Sequence, residues 1–266
     1  MTPSKTTAPP PLHKRIGSVW FRHMRVYTRH IVPNGLPPFL EPLIFLAGIG
    51  LGLSGEIGLI NDTEYIQFLG VGLLITSAMY TSAFECSFGT FIRMKFDKIY
   101  DGMLATPISV SNLIAGEMLW AASKGFFFSA CVLIITVLFG VVPLHSGLLT
   151  PLFTPIVGFI TGLMFSSLSL LVTSFVKTIN HFNFYFTGFL SPMFFFSGVV
   201  FPITNLPPAL QTAAEFFPLT HSVRMVRVLC GEPATSMLAL SIVYSIVFII
   251  VIGSLAVRRL GKRLIL

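Results

Sequence analysis

Charge is what this sequence has least of. Only 10% of its 266 residues are Asp, Glu, Lys or Arg, against roughly 25% in a soluble globular chain. That deficit excludes an ordinary water-soluble domain. Cysteine is scarce too: Cys86, Cys131 and Cys230 lie far apart and show no metal-ligand spacing, so they read as small buried hydrophobes. There is no G-x-x-x-x-G-K-[ST] phosphate loop, since the one Gly-Lys pair, Gly261–Lys262, lacks both the upstream glycine and a following hydroxyl. No Ser/His/Asp set or paired-carboxylate arrangement stands out as catalytic. The chain is therefore expected to carry no ATP site, metal or cofactor of its own and not to be an enzyme. The first 34 residues hold no apolar run ahead of a small-residue cleavage site, so no removable signal peptide is expected.

What is present is apolar. Hydrophobic residues make up 54% of the chain and the mean hydropathy is +0.85. Windows of about 20 residues with few charges recur, each long enough to cross a hydrocarbon core of roughly 30 Å. The expected fold is an all-α, polytopic membrane protein with six transmembrane helices, at about 36–54, 66–89, 113–141, 151–175, 182–202 and 236–257. The third is long, and Glu117 and Lys124 mark its first part as an interfacial or cytoplasmic extension. Residues 1–12 are rich in Pro and Thr and read as disordered, and 258–266 as a basic cytoplasmic tail.

Between residues 13 and 31 the pattern is helical. Ile16, Val19, Trp20, Met24, Tyr27 and Ile31 fall on one side, and Lys14, Arg15, Arg22, Arg25 and Arg29 on the other. Such a basic amphipathic helix suits the interface of an anionic leaflet; packing on a partner is the compatible alternative.

Orientation follows from the bases. The segments before span one, between two and three, between four and five, and after span six hold 6, 3, 1 and 4 Lys or Arg. The segment between one and two carries Glu56, Asp62 and Glu64 and no base. Both termini are expected in the cytoplasm. The net charge of +7 sits at the edges of apolar spans and implies no nucleic acid. Arg224 and Arg227, on the outer side, are the exception.

They belong to the stretch SGVVFPITNLPPALQTAAEFFPLTHSVRMVRVLCG, residues 197–231. Gly198 and Pro202 end the fifth span, and Pro207–Pro208 forbids a continuing helix. ALQTAAEFF and THSVRMVRVLC form two short helices broken at Pro218, with Thr220 as the expected N-cap of the second. Two readings stand: a hairpin dipping into the outer leaflet (203–231), or a surface loop. In the hairpin reading the two arginines snorkel to the outer interface, and Arg227 reaches outer phosphates or, on sign alone, a carboxylate such as Glu215.

Pro218, Leu219, Thr220 and His221 followed by Arg227, with FFFSGVVFP and an LPP turn before them, resemble the signature of type 2 ABC exporter permeases. The likeness extends to NGLPPFLEPLIFLAGIGLGL (34–53), SAMYTSAFECSFGTFIRMKFDKIYDGMLATPIS (77–109) and GEMLWAASKG (116–125), and points to the branch of rhizobial nodulation-factor (lipo-oligosaccharide) export permeases. The resemblance implies a homodimer with two copies of a cytoplasmic ABC ATPase that holds ATP and magnesium. It implies a re-entrant outer hairpin carrying Gly198, Pro202, Pro218, His221, Arg224 and Arg227. It also implies a coupling helix in the segment 91–107, with Arg93, Lys95, Phe96, Asp97, Lys98, Ile99, Tyr100, Asp101 and Met103 as ATPase-facing candidates. Read from the residues alone, that segment has mixed charge, Phe96, Ile99, Tyr100 and Met103 at helical spacing, and a proline stop, which suits a helix laid in a partner's groove.

Glu41, Glu85 and Lys124 are charges inside spans, all towards the cytoplasmic leaflet. Such charges face protein or a water-filled cavity. They form either a polar gate for a lipid-linked headgroup or a charge pair stapling the spans. Phenylalanine is abundant, at 27 residues, and reads mainly as lipid-facing or packing surface, with a glycan or lipid path as the alternative. The functional expectation is export of an amphipathic or lipid-linked saccharide across a bacterial inner membrane. Drug efflux by the same fold is the runner-up. An ion-coupled secondary transporter is disfavoured because no repeated halves are visible.

Overall fold

The computed structural model describes residues 10–30, 32, 36, 40, 43–52, 59–60, 63–142 and 150–265. Helix α1, Leu12–Arg29, is the amphipathic segment. A two-residue hairpin, β1 Leu59–Ile60 with β2 Thr63–Glu64, precedes α2, Tyr65–Lys95. Next come α3, Ile99–Leu104; α4, Val110–Leu138; and α5, Thr154–Phe175, entered through a 3-10 turn at Thr150–Phe153. Helix α6 covers 182–196, with a π turn at Phe186–Leu190. The chain closes with α7, Pro208–Ala214; α8, Pro218–Leu229; and α9, Ser236–Ile265.

Among the described residues, four helices are long and apolar enough to cross a membrane: α2, α4, α5 with its 3-10 lead-in, and α9. The expected fifth span corresponds to the 15 residues of α6. Of the expected first span, 43–52 is described and helical, with a π turn at Leu46–Leu51. Glu41, Glu56 and Asp62 lie outside the described residues, as does most of the disordered segment expected over 1–12. The basic tail expected at 258–266 is helical as far as Ile265 and continues α9. Two of its four bases reach α5: Arg263 Nη1 donates to the Thr173 carbonyl at 2.6 Å, and the Arg259 guanidinium lies 4.6 Å from the Phe175 ring centre.

Helices α2, α4 and α5 form the centre, where small residues let backbones meet. A Cβ added at Gly162 would lie 2.7 Å from Ala122 Cα, and one at Gly125 2.8 Å from the Gly158 carbonyl. Ser82 Oγ donates to the Ala121 carbonyl at 3.0 Å across the same seam. Lipid tails supply no hydrophobic drive between helices, so close van der Waals approach and interhelical hydrogen bonds hold such a core. The apolar window of α2 is 83% buried and that of α9 only 22%, which makes α2 the central helix and α9 a peripheral one.

Helix α1 packs on α4. Val19 is buried and occupies the space a side chain at Gly116 would need (2.6 Å). Trp20 Nε1 donates to Ser123 Oγ at 3.0 Å, and Trp20 and Tyr27 meet Trp120 edge-on. The apolar stripe read from the sequence therefore covers span three. His23 is buried beside it.

Candidate functional site

Two polar constellations stand out against this apolar frame. The first lies where α1, α2, α3 and α4 converge. Arg93 Nη1 donates to Glu85 Oε1 at 2.7 Å, and its Nη2 to Glu117 Oε2 at 2.7 Å. Lys124 Nζ donates to the other oxygen of Glu85 at 2.8 Å. Tyr100 Oη donates to Glu117 Oε1 at 2.6 Å, and His23 Nε2 lies 2.9 Å from that same oxygen, out of line for a hydrogen bond. The Lys124 ammonium also sits 4.7 Å from the Tyr27 ring centre. Two carboxylates thus face two cations, and their formal charges balance.

Local backbone makes this possible. Residues 85–89 of α2 form a π turn, Glu85–Gly89, a bulge that shifts side-chain direction partway along a helix. The Cys86 carbonyl in it accepts from Thr173 Oγ1 at 3.0 Å. Glu117 and Lys124, seven residues apart, share one face of α4. Ser109 caps α4 by accepting from the Asn112 backbone N–H at 3.3 Å.

Ligand atoms of His23, Glu85 and Glu117 lie within 4.8 Å of one another. A divalent ion there would compete with a guanidinium and an ammonium already bonded to both carboxylates, so the donor set does not read as a metal centre. The arrangement links spans two and three to α1 and α3. Glu85 and Lys124 pair with each other, and Glu41 lies outside the described residues.

The expected coupling segment divides into two kinds of residue. Arg93 and Tyr100 point inward, Tyr100 being 1% exposed, and so are unavailable to a partner. Burial and the neighbouring Glu117 carboxylate raise the Tyr100 phenol far above its ordinary range, which keeps it a proton donor. The sequence reading placed Tyr100 outward because a six-residue helix does not reveal which face is covered. Ile99 and Met103 are half-buried. Phe96 is the prominent exposed group, at 65%, flanked by exposed Lys95, Asp97, Lys98 and Asp101. Lys98 adopts φ 49°, the left-handed conformation, which turns the chain sharply into α3. Sequence reasoning missed Glu117 and His23 as members of this site. The seven-residue spacing of Glu117 from Lys124 was the available signal.

Tyr100→Phe deprives Glu117 Oε1 of its one hydroxyl donor among the described residues. A hydrogen bond to a buried charged acceptor is worth about 1.5–3 kcal/mol, so unfolding of the purified variant is expected at correspondingly lower denaturant. An unchanged midpoint would show that the hydroxyl contributes nothing.

The second constellation is the α7–α8 hairpin. It starts at the turn where Gly198 takes φ +81°, and 3-10 residues Ile203–Asn205 lead into α7. Helix α8 begins at Pro218 in its first turn, and Thr220 lies inside the helix, donating to the Ala214 carbonyl at 2.6 Å rather than serving as N-cap. Proline at the first helical position, with no N–H to lose, marks the true start. Most of α8 is buried, against α2, α5 and α9.

His221 bridges the hairpin. Its Nε2 lies 2.9 Å from the Glu215 carbonyl and its Nδ1 3.2 Å from Ser241 Oγ, while its ring stacks on Tyr244 at 3.8 Å. Arg224, not Arg227, takes Glu215, through Nη2 to Oε1 at 2.5 Å. Arg227 is 8% exposed; its Nη2 donates to the Gly198 carbonyl at 2.7 Å and its guanidinium lies 3.6 Å from the Phe68 ring centre. The expectation of a snorkelling arginine is thereby corrected: Arg227 is an internal strut between α8, α2 and the Gly198 turn. Pro202 lies at the same turn, in the wall of a cleft there.

Phenylalanines divide as well. Phe126, Phe127, Phe184 and Phe195 are exposed, whereas Phe128, Phe182 and Phe194 are buried. Phe84, Phe88, Phe182 and Phe186 form a contiguous ring cluster between α2 and α6.

A family described as ABC-2 type transporter matches residues 14–230 of this chain. Nodulation protein J of Rhizobium leguminosarum bv. trifolii is 35% identical over 217 residues, 81% of either chain. The protein of the same name from R. leguminosarum bv. viciae is 33% identical over 249 residues, 92% of this chain and 95% of its own. The inner membrane transport permease YadH of Escherichia coli K12 is 24% identical over 250 residues, 92% and 96% of the two chains.

Proposed function

The chain belongs to the ABC-2 type transporter family, and from that premise we propose that it is the permease subunit of an ATP-driven exporter for an amphipathic, lipid-linked saccharide or lipo-oligosaccharide. Two copies pair around a path and each docks one cytoplasmic ATPase subunit. The family assignment makes it a multi-pass transport permease rather than a catalytic enzyme. The cargo class is supported by the relatives named Nodulation protein J and by the matching stretches at 34–53, 77–109 and 116–125.

One observation carries the proposal: an exposed Phe96 at the tip of a sharp turn whose two sides are bolted to a buried ionic cluster. Arg93, three residues before Phe96, and Tyr100, four after it, both end on Glu117. A push on the tip therefore reaches α2 and α4 together instead of being lost in a flexible loop. Closing ATPase subunits would move the tip, and the clamped helices would carry that motion to the path. The hairpin seals the outer end at rest. Its ties to α9 through Ser241 and Tyr244, and to α5 through Thr161 Oγ1 on Ser222 Oγ at 2.8 Å, support motion as one body.

In this reading six spans cross the inner membrane, with both termini and the Phe96 turn in the cytoplasm. Single cysteines at Ile60 and Asp97 in a cysteine-free background test it with a membrane-impermeant thiol reagent. Position 60 is expected to label in intact spheroplasts and position 97 only after permeabilisation. The reverse pattern would overturn the topology.

A further inference from the structure

A cleft of about 240 Å³ opens beside Arg227, walled by Phe68, Ile203, Ser197, Arg224 and Glu232 among others. This is far above the roughly 30 Å³ share of one water molecule. Its polar groups are incompletely matched. Arg227 Nη2 is taken by the Gly198 carbonyl, but the nearest carboxylate oxygen to Nη1 belongs to Glu232, at 3.6 Å, beyond hydrogen-bond length. The Glu232 side chain is 46% exposed, so it is weakly held. Ser197 is fully buried in the cleft wall, and its hydroxyl has no hydrogen-bond partner among the described residues. Buried hydroxyls without partners are uncommon and call for one.

We propose that this cleft binds a phosphate-bearing headgroup, which displaces Glu232 from Arg227 and takes the Ser197 hydroxyl as a further donor. Glu232 is then a tethered stand-in carboxylate that closes the cleft when no ligand is present. Phosphate fits better than a planar carboxylate. Arg224 and Arg227, one helical turn apart, line the same space, and a tetrahedral anion offers oxygens to a guanidinium and a hydroxyl in different directions. Arg224 is already bonded to Glu215 and Ser241 and contributes field rather than a free donor. Burial lowers the Arg227 pKa from the ordinary arginine value, and the Glu232 carboxylate only partly opposes that shift. The apolar wall at Phe68 and Ile203 would accept the first carbons attached to the phosphate. That the cleft faces outward rests on the topology proposed above; the binding does not.

The test uses the full-length permease in maltoside micelles, with binding read by calorimetry. The probes are dihexanoyl phosphatidic acid, inorganic phosphate and uncharged dihexanoylglycerol. Phosphatidic acid is expected to bind saturably and dihexanoylglycerol not to bind. Glu232→Gln is expected to tighten binding by up to about fivefold, since it removes a competing half-exposed carboxylate worth up to about 1 kcal/mol. Arg227→Lys, which keeps the charge but loses the forked donor, should weaken it by about tenfold or more. A merely structural Arg227 would not make Glu232→Gln bind more tightly. Inorganic phosphate binding alongside the lipid assigns the cleft to phosphate anions generally; phosphatidic acid alone assigns it to a lipid or lipid-linked headgroup. No binding of either probe, or unchanged affinity in Glu232→Gln, overturns the proposal. The readout needs neither ATP nor transport, so a permease that binds but does not export would sink the transport reading and leave the cleft standing.

Discussion

Phe96→Glu is expected to abolish both co-purification of the ATPase subunit and ATP-driven transport, while leaving the amount of folded permease unchanged. The side chain is 65% exposed, and its ring meets that of Phe91 edge-on, at 6.0 Å between centres. Surface substitutions of this kind cost the fold within about 0.5 kcal/mol. In a partner's apolar groove the new carboxylate would be buried without a counter-ion, costing several kcal/mol, which amounts to a loss of more than about a hundredfold in affinity. Tyr100 does not belong in the same test. Its ring is internal and its hydroxyl holds Glu117, so a charged replacement would damage the permease itself. Wild-type yield of the intact complex from Phe96→Glu would remove the docking assignment.

The second large effect is expected at Arg93. Replacing it with alanine leaves Glu117 with Tyr100 and an out-of-line His23, and leaves Glu85 with Lys124 alone. Removing one partner of a buried ion pair typically costs about 3–5 kcal/mol, because the survivor stays buried with its charge uncompensated. Arg93→Ala should therefore insert into the membrane but unfold early in detergent, with transport lost as a consequence. Glu85→Gln with Lys124→Met separates the staple from a gate. This pair removes one charge of each sign, so the fold is expected to persist. Normal transport by the double variant would identify the pair as a staple. Folded protein with lost transport would identify Glu85 and Lys124 as part of the cargo's route and contradict the purely mechanical role given to the cluster.

Local periodicity was the most legible level. The stripe from Ile16 to Tyr27 reads directly as one face of a helix, and α1 presents it to Gly116 and Trp120. Helices α2, α4, α5 and α9 announce themselves by length and apolarity. Ends were harder. The bases after residue 257 look like a tail, yet α9 runs on because Arg259 and Arg263 reach Phe175 and the Thr173 carbonyl on another helix. Pairings between elements were the least legible. Arg227 and Arg224 are equivalent partners for Glu215 by sign, and the choice between them rests on a single helical turn of α8. Glu117 reads as an interfacial charge until Arg93 and Tyr100 are seen to converge on it from two other elements, 24 and 17 residues away in sequence. Such convergence is a property of tertiary packing and leaves no short-range pattern in the chain.

The hairpin shows how geometry changes which experiment is informative. From sequence, Arg227→Ala looks like a clean probe of export. In the fold it would strip the Gly198 carbonyl of its donor and loosen the α8 contact with α2, so lost export from that variant would report instability. Glu232→Gln alters the same place at a half-exposed position and is the better probe.

The central claim is that this permease moves its cargo only when a separate ATPase hydrolyses ATP. Permease and ATPase from the same source, reconstituted into liposomes with a fluorescent lipo-oligosaccharide in the ATPase-facing leaflet, test it directly. The account predicts transfer to the opposite leaflet that requires ATP and the ATPase together, and that Phe96→Glu abolishes. Transfer by the permease alone under an imposed proton or sodium gradient would contradict it.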